Sequence, residues 1–512
     1  MKNDAARRCM ACGRTLSRFN PGTRCAPCQR RSADRVEPTF WADAQVSGAV
    51  RSWDMGTVAR LYRQHTGLSQ SALARMVSMD QSEVSRLERK QKTIKDRRQL
   101  LLWVDMLGIP ADAVGPLPAN DPPPTGGTAG TYTQLPPGLG HLVLPAGQKI
   151  AATVLPTLTM PAESFRGNEV HLASAPQLDS WLRMPMRALI VGSRTVDGDS
   201  RHFALDAGSG VCSTNHRRSG LAIPAAFELD DLTYGILWAV AGFDAALLGD
   251  DAVLHDVLPL TDPPDPSPLA QAVRDQPLNP GSVMLLGSQA SARYILGHRW
   301  KLGGEPFFWT REQRGEEAAT WLFFRHKYRY LQRTTPANHG TGSGRAFCIP
   351  PSVIANSPAY ERVLLLLAVA LMESLGTRTW ITTDPDYEQT DGFVLVPRQR
   401  ALIANWVRTE GVSELALTTR PGALRTFAEA VGHAGTRSVN NAAQAVDRLA
   451  ATADYLDLDR RWLGRRCAQL ATSGTAGLAK PRSRLLGVDG LDAACRFVAT
   501  QFASPAGARG AR

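Results

Sequence analysis

The sequence lacks the features of a secreted or membrane-spanning protein. Only eight of its 512 residues are cysteines, too few for a fold held together by disulfides, so we expect a reducing compartment. The first thirty residues are polar and contain no apolar stretch of the kind that a secretory signal needs. The longest apolar run, 363–372, has about half the length of a spanning helix of about twenty residues. We therefore predict a cytoplasmic chain with no membrane partner, and a buried core helix over 363–372.

Patterns typical of catalytic sites are also scarce. The sequence contains no HExxH metal motif, and the glycine-rich segment 338–345 lacks the GK[ST] ending of a phosphate-binding loop. The segment 203–212 (FALDAGSGVC) ends a predicted strand in DxGxG, a pattern with which nucleotide-binding methyltransferases hold their adenosyl cofactor. No apolar helix follows this segment, so a β-hairpin turn is the simpler interpretation. We expect that the chain is not an enzyme, and we assign it no catalytic residue.

The positive charge of the chain is concentrated at one end. The formal net charge is +11, and residues 1–110 hold 20 Lys and Arg against 10 Asp and Glu, which places +10 of that charge there. The other 402 residues carry only +1. A basic head on a near-neutral body is the electrostatic pattern of a nucleic-acid-binding module joined to a second part.

Two closely spaced cysteine pairs lie within this basic head. The pattern CxxC, twelve residues, CxxC supplies four thiolates at the spacing of a tetrahedral zinc site. Because residues 1–35 hold too few apolar side chains for a core, metal binding would supply the folding free energy of so small a unit. Redox-active or incidental thiols are the alternative. We predict a zinc-ribbon-like knuckle over 1–35 with one structural Zn²⁺ bound by Cys9, Cys12, Cys25 and Cys28.

Residues 67–90 (GLSQSALARMVSMDQSEVSRLERK) have the pattern of two helices separated by a short break. Ser69 is a candidate cap for the first helix and Asp80 for the second. In the second helix, Val84 and Leu87 are three residues apart and face inward. The polar residues around them then face outward and can form hydrogen bonds with base edges and phosphates, as glutamine does with adenine and arginine with guanine. These outward residues are Gln81, Ser82, Ser85 and Arg86.

The whole pattern resembles the Cro/cI-type helix-turn-helix family, the XRE class of DNA-binding domains that includes phage repressors. The family pattern R-x6-Q-x2-LA-x9-[VI]-x2-[LW]-E is matched by Arg63, Gln70, Leu73, Ala74, Val84, Leu87 and Glu88. With the CxxC knuckle ahead of this pattern and a long body behind it, the layout is similar to that of actinobacterial regulators of this class.

The resemblance implies an all-α, lambda-repressor-like domain over 50–112. In this domain the helix-turn-helix spans 69–88 and the recognition helix spans 81–89. A helical hairpin with a basic, solvated surface is the alternative that the residues leave open. The predicted DNA-binding residues are Ser69, Gln70, Gln81, Ser82, Ser85, Arg86, Arg89 and Lys90.

The resemblance also implies specific contacts for single residues. Gln70 should contact a phosphate, and Arg63 and Glu88 match a pair that forms a structural salt bridge in the family. Ser78 departs from the family pattern, which usually has glycine at this turn. Because serine is strained in a left-handed conformation, the turn can differ slightly here.

The remaining sequence carries weaker signals. The Pro/Gly-rich segment 113–148 is predicted to be a linker. It is followed by a mixed α/β region at 150–260 and, after a second Pro-rich break, by a mainly helical sensor or oligomerisation body at 281–500. Within these regions we predict strands at 187–191, 201–206, 379–383 and 392–396, and helices at 232–248, 315–331, 358–375, 398–408, 420–470 and 485–500.

An aromatic and charged segment at 305–329 allows two interpretations. The first is a core helix with flanking ion pairs. The second is a ligand or dimer pocket lined by aromatic side chains, with an arginine that binds an anion. The residues of this second interpretation are Phe307, Trp309, Trp321 and Arg311.

The sequence as a whole predicts a multidomain chain: a small zinc-ribbon-like knuckle, an all-α helix-turn-helix domain and a mainly α (α+β) C-terminal body. The predicted function is sequence-specific binding of double-stranded DNA by a nucleoid-associated transcriptional regulator. Because one helix-turn-helix reads only a half-site, we expect a homodimer. The C-terminal body would sense a small-molecule or protein effector. The alternatives are a DNA-targeted enzyme with a nucleotide cofactor and a protein-interaction adaptor.

Overall fold

The computed structural model divides into two compact units, Met1–Gly127 and Thr128–Arg512. The predicted zinc knuckle at 1–35 and most of the predicted linker lie outside the residues that the structure describes. The described residues are 38–51, 54–77, 79, 81–89, 94, 100, 103–104, 106–107, 109, 135–184, 186–196, 199–209, 220–262, 267–276, 278–298, 306–335, 344–409 and 411–503.

The described helices of the N-terminal unit are short. They are α1 (Pro38–Ala42), α2 (Ala44–Arg51), α3 (Met55–Thr66), α4 (Gln70–Met76) and α5 (Gln81–Glu88). Caps fix the ends of α3 and the start of α4. Asp54 begins α3 by accepting a hydrogen bond from the Thr57 amide at 3.1 Å, and Gly67 ends it at a φ of +70°, where glycine is favoured. Ser69 begins α4 by accepting a hydrogen bond from the Ala72 amide at 3.1 Å, as the sequence predicts.

These helices enclose a small apolar core. Val58 and Tyr62 of α3, Leu73 of α4 and Leu87 of α5 are all buried in it. Trp103, in a helical segment after α5, is buried in the same cluster. Burial of each large apolar side chain contributes about 1.5–3 kcal/mol. The core that α5 shares with α3 and α4 therefore determines which face of α5 points outward.

Helices α3 and α5 approach each other closely at one glycine. A Cβ atom added to Gly56 would overlap the carbonyl oxygen of Leu87. A backbone oxygen cannot move aside as the end of a flexible side chain can, so glycine is the residue that fits without separating the two helices. The position of α5 on α3 therefore depends on the residue at 56.

Gly56→Ala is expected to destabilise the N-terminal unit by about 1–3 kcal/mol, because the added methyl group forces α5 away from α3. Gly48→Ala is the control. Gly48 is also helical, but a Cβ there meets nothing within 4 Å, and alanine favours a helix by about 0.5–1 kcal/mol. Hydrogen exchange of the α3 amides in the full chain measures both effects. Equal protection in the two variants would contradict the close approach.

The C-terminal unit begins with a six-stranded sheet. Its strands are β1 (Gly138–Leu144), β2 (Thr153–Arg166), β3 (Glu169–Leu172), β4 (Leu189–Val196), β5 (Asp199–Asp206) and β6 (Leu221–Pro224). The order is β5-β4-β2-β3-β6, and β1, which lies within the predicted linker, pairs with the first part of β2. β2 and β4 are parallel, and all other neighbours are antiparallel.

A second six-stranded sheet follows. Its strands are β7 (Phe307–Thr310), β8 (Gly344–Cys348), β9 (Arg378–Thr382), β10 (Phe393–Val396), β11 (Arg400–Asn405) and β12 (Glu414–Thr418). The order is β12-β11-β10-β7-β8-β9. β7, β8 and β9 are parallel, whereas β10 to β12 form an antiparallel meander beside β7. Parallel neighbours need a crossover connection, and helices supply it on both sides of β8.

Helices pack around both sheets. They are α6 (Pro176–Trp181), α7 (Asp231–Gly249), α8 (Asp251–Val257), α9 (Ser267–Asp275), α10 (Pro280–His298), α11 (Gly315–Phe323), α12 (Arg325–Thr334), α13 (Pro351–Asn356), α14 (Ala359–Ser374), α15 (Pro421–Arg437), α16 (Ala445–Tyr455), α17 (Arg460–Ser473) and α18 (Asp489–Ala503). Among the described helices, α7 alone is long and apolar enough to cross a membrane, and 78% of its apolar window is buried inside the protein.

The core of the C-terminal unit is centred on two of these helices. α7 and α14 contact each other, and residues 363–372 of α14 are buried throughout, which confirms the predicted core helix. α7 comes from the region predicted at 150–260 and α14 from the region predicted at 281–500. Side chains of both regions belong to one apolar cluster.

Charged side chains inside this unit are largely paired. Arg187 donates hydrogen bonds to Asp206 and, at 2.8 Å, to Asp244. Arg482 lies 3.5 Å from Asp206. Asp206 ends β5 and is the acidic residue of the DxGxG segment. Because its buried carboxylate is held by two arginines, it stabilises the end of the β4–β5 hairpin.

More of the C-terminal unit is sheet than the sequence predicts. β2 is not predicted because it contains Pro156 and Pro161, and proline cannot donate a hydrogen bond to a neighbouring strand. Pro156 has a partner only in β1, and Pro161 only in β4. Each proline thus lies where β2 has a single neighbour, which is where a strand tolerates it.

The mainly helical prediction for 281–500 is wrong in two further places. Residues 398–408 contain strand β11 rather than a helix, because so short an apolar run has no clear period and pairing with β10 and β12 decides its structure. The helix predicted at 315–331 is interrupted at Phe324, whose backbone is extended and forms a bridge with Leu486. Two helices, α11 and α12, therefore replace one.

Candidate nucleic-acid interface

The candidate interface is the outer face of α5. Val84 and Leu87 are buried, and α5 packs against α3 and α4, as the sequence predicts. Gln81, Ser82 and Arg86 are exposed. An amide, a hydroxyl and a guanidinium group therefore share the surface of the first turns of α5.

The C-terminal end of α5 is fixed by a two-point ion pair. The Nε atom of Arg63 lies 2.6 Å from one carboxylate oxygen of Glu88, and a terminal guanidinium nitrogen lies 3.0 Å from the other. Arg63 also donates a hydrogen bond to the Leu68 carbonyl at 2.8 Å. Bidentate arginine–carboxylate pairs are among the strong side-chain interactions. This geometry confirms the expected salt bridge between Arg63 and Glu88, which joins α5 to α3.

Gln70 extends the ion pair to the first residue of α5. Its side-chain nitrogen donates a hydrogen bond to Glu88 at 2.7 Å. Its side-chain oxygen accepts one from Nε2 of Gln81 at 3.0 Å. These contacts form a continuous series, Arg63–Glu88–Gln70–Gln81, which we call the anchoring chain. Gln70 therefore positions Gln81 in this structure, a role that the sequence does not predict.

Ser85 has different surroundings from those that the sequence predicts. It is only 7% exposed, because Arg89 lies over it and donates a hydrogen bond to its hydroxyl at 2.5 Å. Arg89 itself is exposed. Contact of Ser85 with a base would require Arg89 to move. Ser69 is exposed at the start of α4, where its hydroxyl caps the helix.

Several predicted residues lie outside the described part of the chain: Ser78, Lys90, and the four cysteines Cys9, Cys12, Cys25 and Cys28. Among the residues that are described, no group of three His, Cys, Asp or Glu side chains could hold a metal ion. The zinc site and the contact by Lys90 stay predictions from the sequence.

The anchoring chain responds to acid in a defined direction. Burial raises the pKa of Glu88, but hydrogen bonds from Arg63 and Gln70 and the charges of Arg63 and Arg60 outweigh it, so the pKa lies below the ordinary 4.5. The hydrogen bond with Glu88 raises the pKa of Arg63, which therefore stays charged. The stabilisation by the pair is complete above the ordinary pKa of Glu88. It is lost as the pH falls through the lower pKa of the folded chain.

Glu88→Gln is expected to destabilise the N-terminal unit by about 1–3 kcal/mol at neutral pH, because half-buried Arg63 loses its carboxylate partner. The difference from wild type should shrink as the pH falls below 4.5, where the wild-type carboxyl also becomes protonated. Hydrogen exchange of the α5 amides, compared between the two chains at each pH, measures this.

The control for this experiment is Gln81→Ala. Its side chain is the exposed end of the anchoring chain, so its loss should change stability by less than about 0.5 kcal/mol. A difference between wild type and Glu88→Gln that does not vary with pH would show that the charge of Glu88 has no part in holding α5.

Comparison with known families identifies the same segment. Residues 60–114 match the family described as helix-turn-helix. The match begins within α3 and includes α4 and α5, which carry the anchoring chain and the outward residues. It supports the XRE-type helix-turn-helix predicted from the sequence for this segment, and it suggests a DNA-binding transcription regulator. Comparisons of the chain with curated proteins and with solved structures find no match.

Proposed function

We propose that the chain is a sequence-specific regulator that reads base edges in the major groove of double-stranded DNA with Gln81, Ser82 and Arg86. The observation that supports this most directly is the anchoring chain, which ends at the first of these residues. A side chain that is already positioned loses less conformational freedom on binding. Base reading by α5 therefore needs little rearrangement of the helix-turn-helix.

Each outward residue has its own base preference. The amide of Gln81 can both donate and accept, which fits N6 and N7 of adenine. The guanidinium of Arg86 offers parallel donors to O6 and N7 of guanine, and the hydroxyl of Ser82 can contact either base. A good bidentate contact gives about 1–3 kcal/mol of discrimination against the wrong base. These residues are sufficient to define a short half-site.

Contacts with phosphates would supply most of the affinity. Arg60 of α3 is half-buried and Arg89 is exposed next to α5, and Gln70 and Lys90 are further candidates. The basic head of the chain carries +10 over residues 1–110. Binding through such contacts releases counterions from DNA, so the affinity should fall steeply as the salt concentration rises.

The remaining parts of the proposal come from the sequence. A homodimer would place two half-site readers on a pseudo-palindromic site. A structural Zn²⁺ bound by the four cysteines at residues 9 to 28 would fold the knuckle ahead of the helix-turn-helix. The C-terminal unit would sense a ligand or a partner and change the DNA affinity. The proposal places the protein in the cytoplasm at the nucleoid and includes no enzymatic activity.

Selection of sites from a random-sequence DNA library with the full chain tests base reading. Wild type should enrich a shared half-site. Arg86→Ala and Gln81→Ala should each relax the preference at one position, with a cost of about 1–3 kcal/mol there. Arg60→Ala is the matched control: as a phosphate contact it should weaken binding to all sequences about equally and reduce the slope of affinity against salt by about one.

Two results would argue against the proposal. If Gln81→Ala and Arg86→Ala weaken binding to all sequences equally, these residues do not read bases. If wild type binds DNA without enriching any shared site, the helix-turn-helix only attaches the chain to DNA. The function would then have to be sought in residues 150–512, as an enzyme or as an adaptor.

A further inference from the structure

The C-terminal unit contains a pocket of its own. It lies between α10, α11, α12 and strands β7, β8, β10 and β11. Its empty space is about 510 Å³, including the part that is open to solvent, and the centres of water molecules can reach about 40 Å³ of it.

The walls of this pocket are largely aromatic. Trp309, Trp321, Phe393 and Trp406 line it. Of the pocket residues that the sequence suggests, Trp309, Trp321 and Arg311 are therefore present. Phe307 packs against Trp380 instead. Three of the four residues named for the pocket interpretation thus line a pocket, whereas ligand binding there stays a prediction.

One buried cation of the pocket is paired. Lys327 is 3% exposed, and its Nζ donates hydrogen bonds of 2.9 Å to Glu312 and to Thr320. The ammonium also lies over the rings of Trp321 and Trp406, at 3.7 and 4.1 Å from their centres. Burial lowers the pKa of Lys327 to about 8, so the amine is mainly protonated at neutral pH. Glu312 balances its charge.

A second buried cation has no such balance. Arg345 of β8 is 2% exposed, and its guanidinium carbon lies 4.6 Å from the ring centre of Phe308, its neighbour on β7, and 4.9 Å from that of Trp321. Within the described part of the chain no carboxylate forms an ion pair with Arg345, and its Nε has no hydrogen-bond partner. Arginine stays charged when buried, and aromatic rings offset only part of its lost hydration. An anion bound in this pocket would supply the missing ion-pair partner.

Other polar groups around the pocket favour the same kind of ligand. Ser291 of α10 lines it, and its buried hydroxyl has no hydrogen-bond partner among the described residues. A second pocket shares Ala292 and Tyr330 with the first and is lined by Arg293 and Arg329 among others. Ser291 thus adds a hydrogen-bond donor to the pocket, and two arginines line the neighbouring pocket.

We propose that this pocket binds an organic anion, whose carboxylate or phosphate group pairs with Arg345 and Ser291 and whose apolar or aromatic body lies among the tryptophan rings. The ligand supplies the ion-pair partner that Arg345 lacks among the described residues, as Glu312 does for Lys327. A regulatory effect of the anion rests on the sensing role proposed above. Binding of the anion to the pocket does not require DNA.

Titration calorimetry of the full chain with benzoate, phenyl phosphate and benzamide tests the site. Wild type should bind at least one of the two anions, and the stronger anion identifies carboxylate or phosphate as the recognised group. Benzamide, the neutral counterpart of benzoate, should bind at least about tenfold more weakly. Arg345→Met should weaken anion binding roughly thirtyfold or more, because it truncates one partner of a buried charge pair.

Arg378→Met is the matched control. Arg378 also lies over an aromatic ring, that of Trp380 at 5.1 Å, but it donates a hydrogen bond to Asn441 and does not line the pocket. This variant should bind anions as wild type does. Should Arg345→Met fail to fold, Arg345→Lys and Ser291→Ala give the same test. Lysine keeps the charge without the planar pair of donors, so it should weaken binding.

The site is wrong if neither anion binds, if benzamide binds as tightly as benzoate, or if the variants at 345 and 291 bind as well as wild type. Measurement of DNA affinity with and without the bound anion separates this inference from the proposed sensing role. An anion that binds but leaves the DNA affinity unchanged supports the pocket and removes the sensing role.

Discussion

The bidentate pair of Arg63 and Glu88 is the interaction on which the N-terminal unit depends. It joins residues 25 positions apart and ties α5 to α3. Through Gln70, the same carboxylate determines where Gln81 lies. Gly56 allows the two helices to come close enough for these contacts. The outer face of α5, which we propose to read DNA, is therefore positioned by residues behind it, and changes to those residues should alter DNA recognition as well as stability.

The C-terminal unit shows the complementary case, because among its described residues the buried Arg345 has no ion-pair partner. Arg187 is paired with two aspartates, and Arg448 is paired with Glu373. An unpaired buried charge costs several kcal/mol. Because Arg345 has no ion-pair partner within the described part of this unit, it lowers the stability of the fold unless an anion binds. The anion-binding site that we propose would account for such a residue, and the aromatic rings around Arg345 offset part of the cost of its burial.

The two units differ in how much of them the sequence predicts. Helix caps and the spacing of the inward-facing apolar residues depend only on residues close together in the sequence. The helices and the outward residues of the N-terminal unit are therefore predictable. The contact of Gln70 with Gln81 is not, because it depends on the angle between α4 and α5, and neither is the burial of Ser85 beneath Arg89. In the C-terminal unit the long apolar helices α7 and α14 are predictable. Short buried strands such as β7 and β11 have no local period and are defined by partners distant in sequence.

The most direct test of the account is a crystal structure of the full chain bound to the DNA site that it selects. We expect α5 in the major groove, with the side chains of Gln81 and Arg86 at hydrogen-bond distances of about 2.7–3.2 Å from base edges and the Arg63–Glu88 pair intact. A complex in which α5 lies outside the groove, or in which these side chains contact phosphates alone, would contradict base reading by this helix.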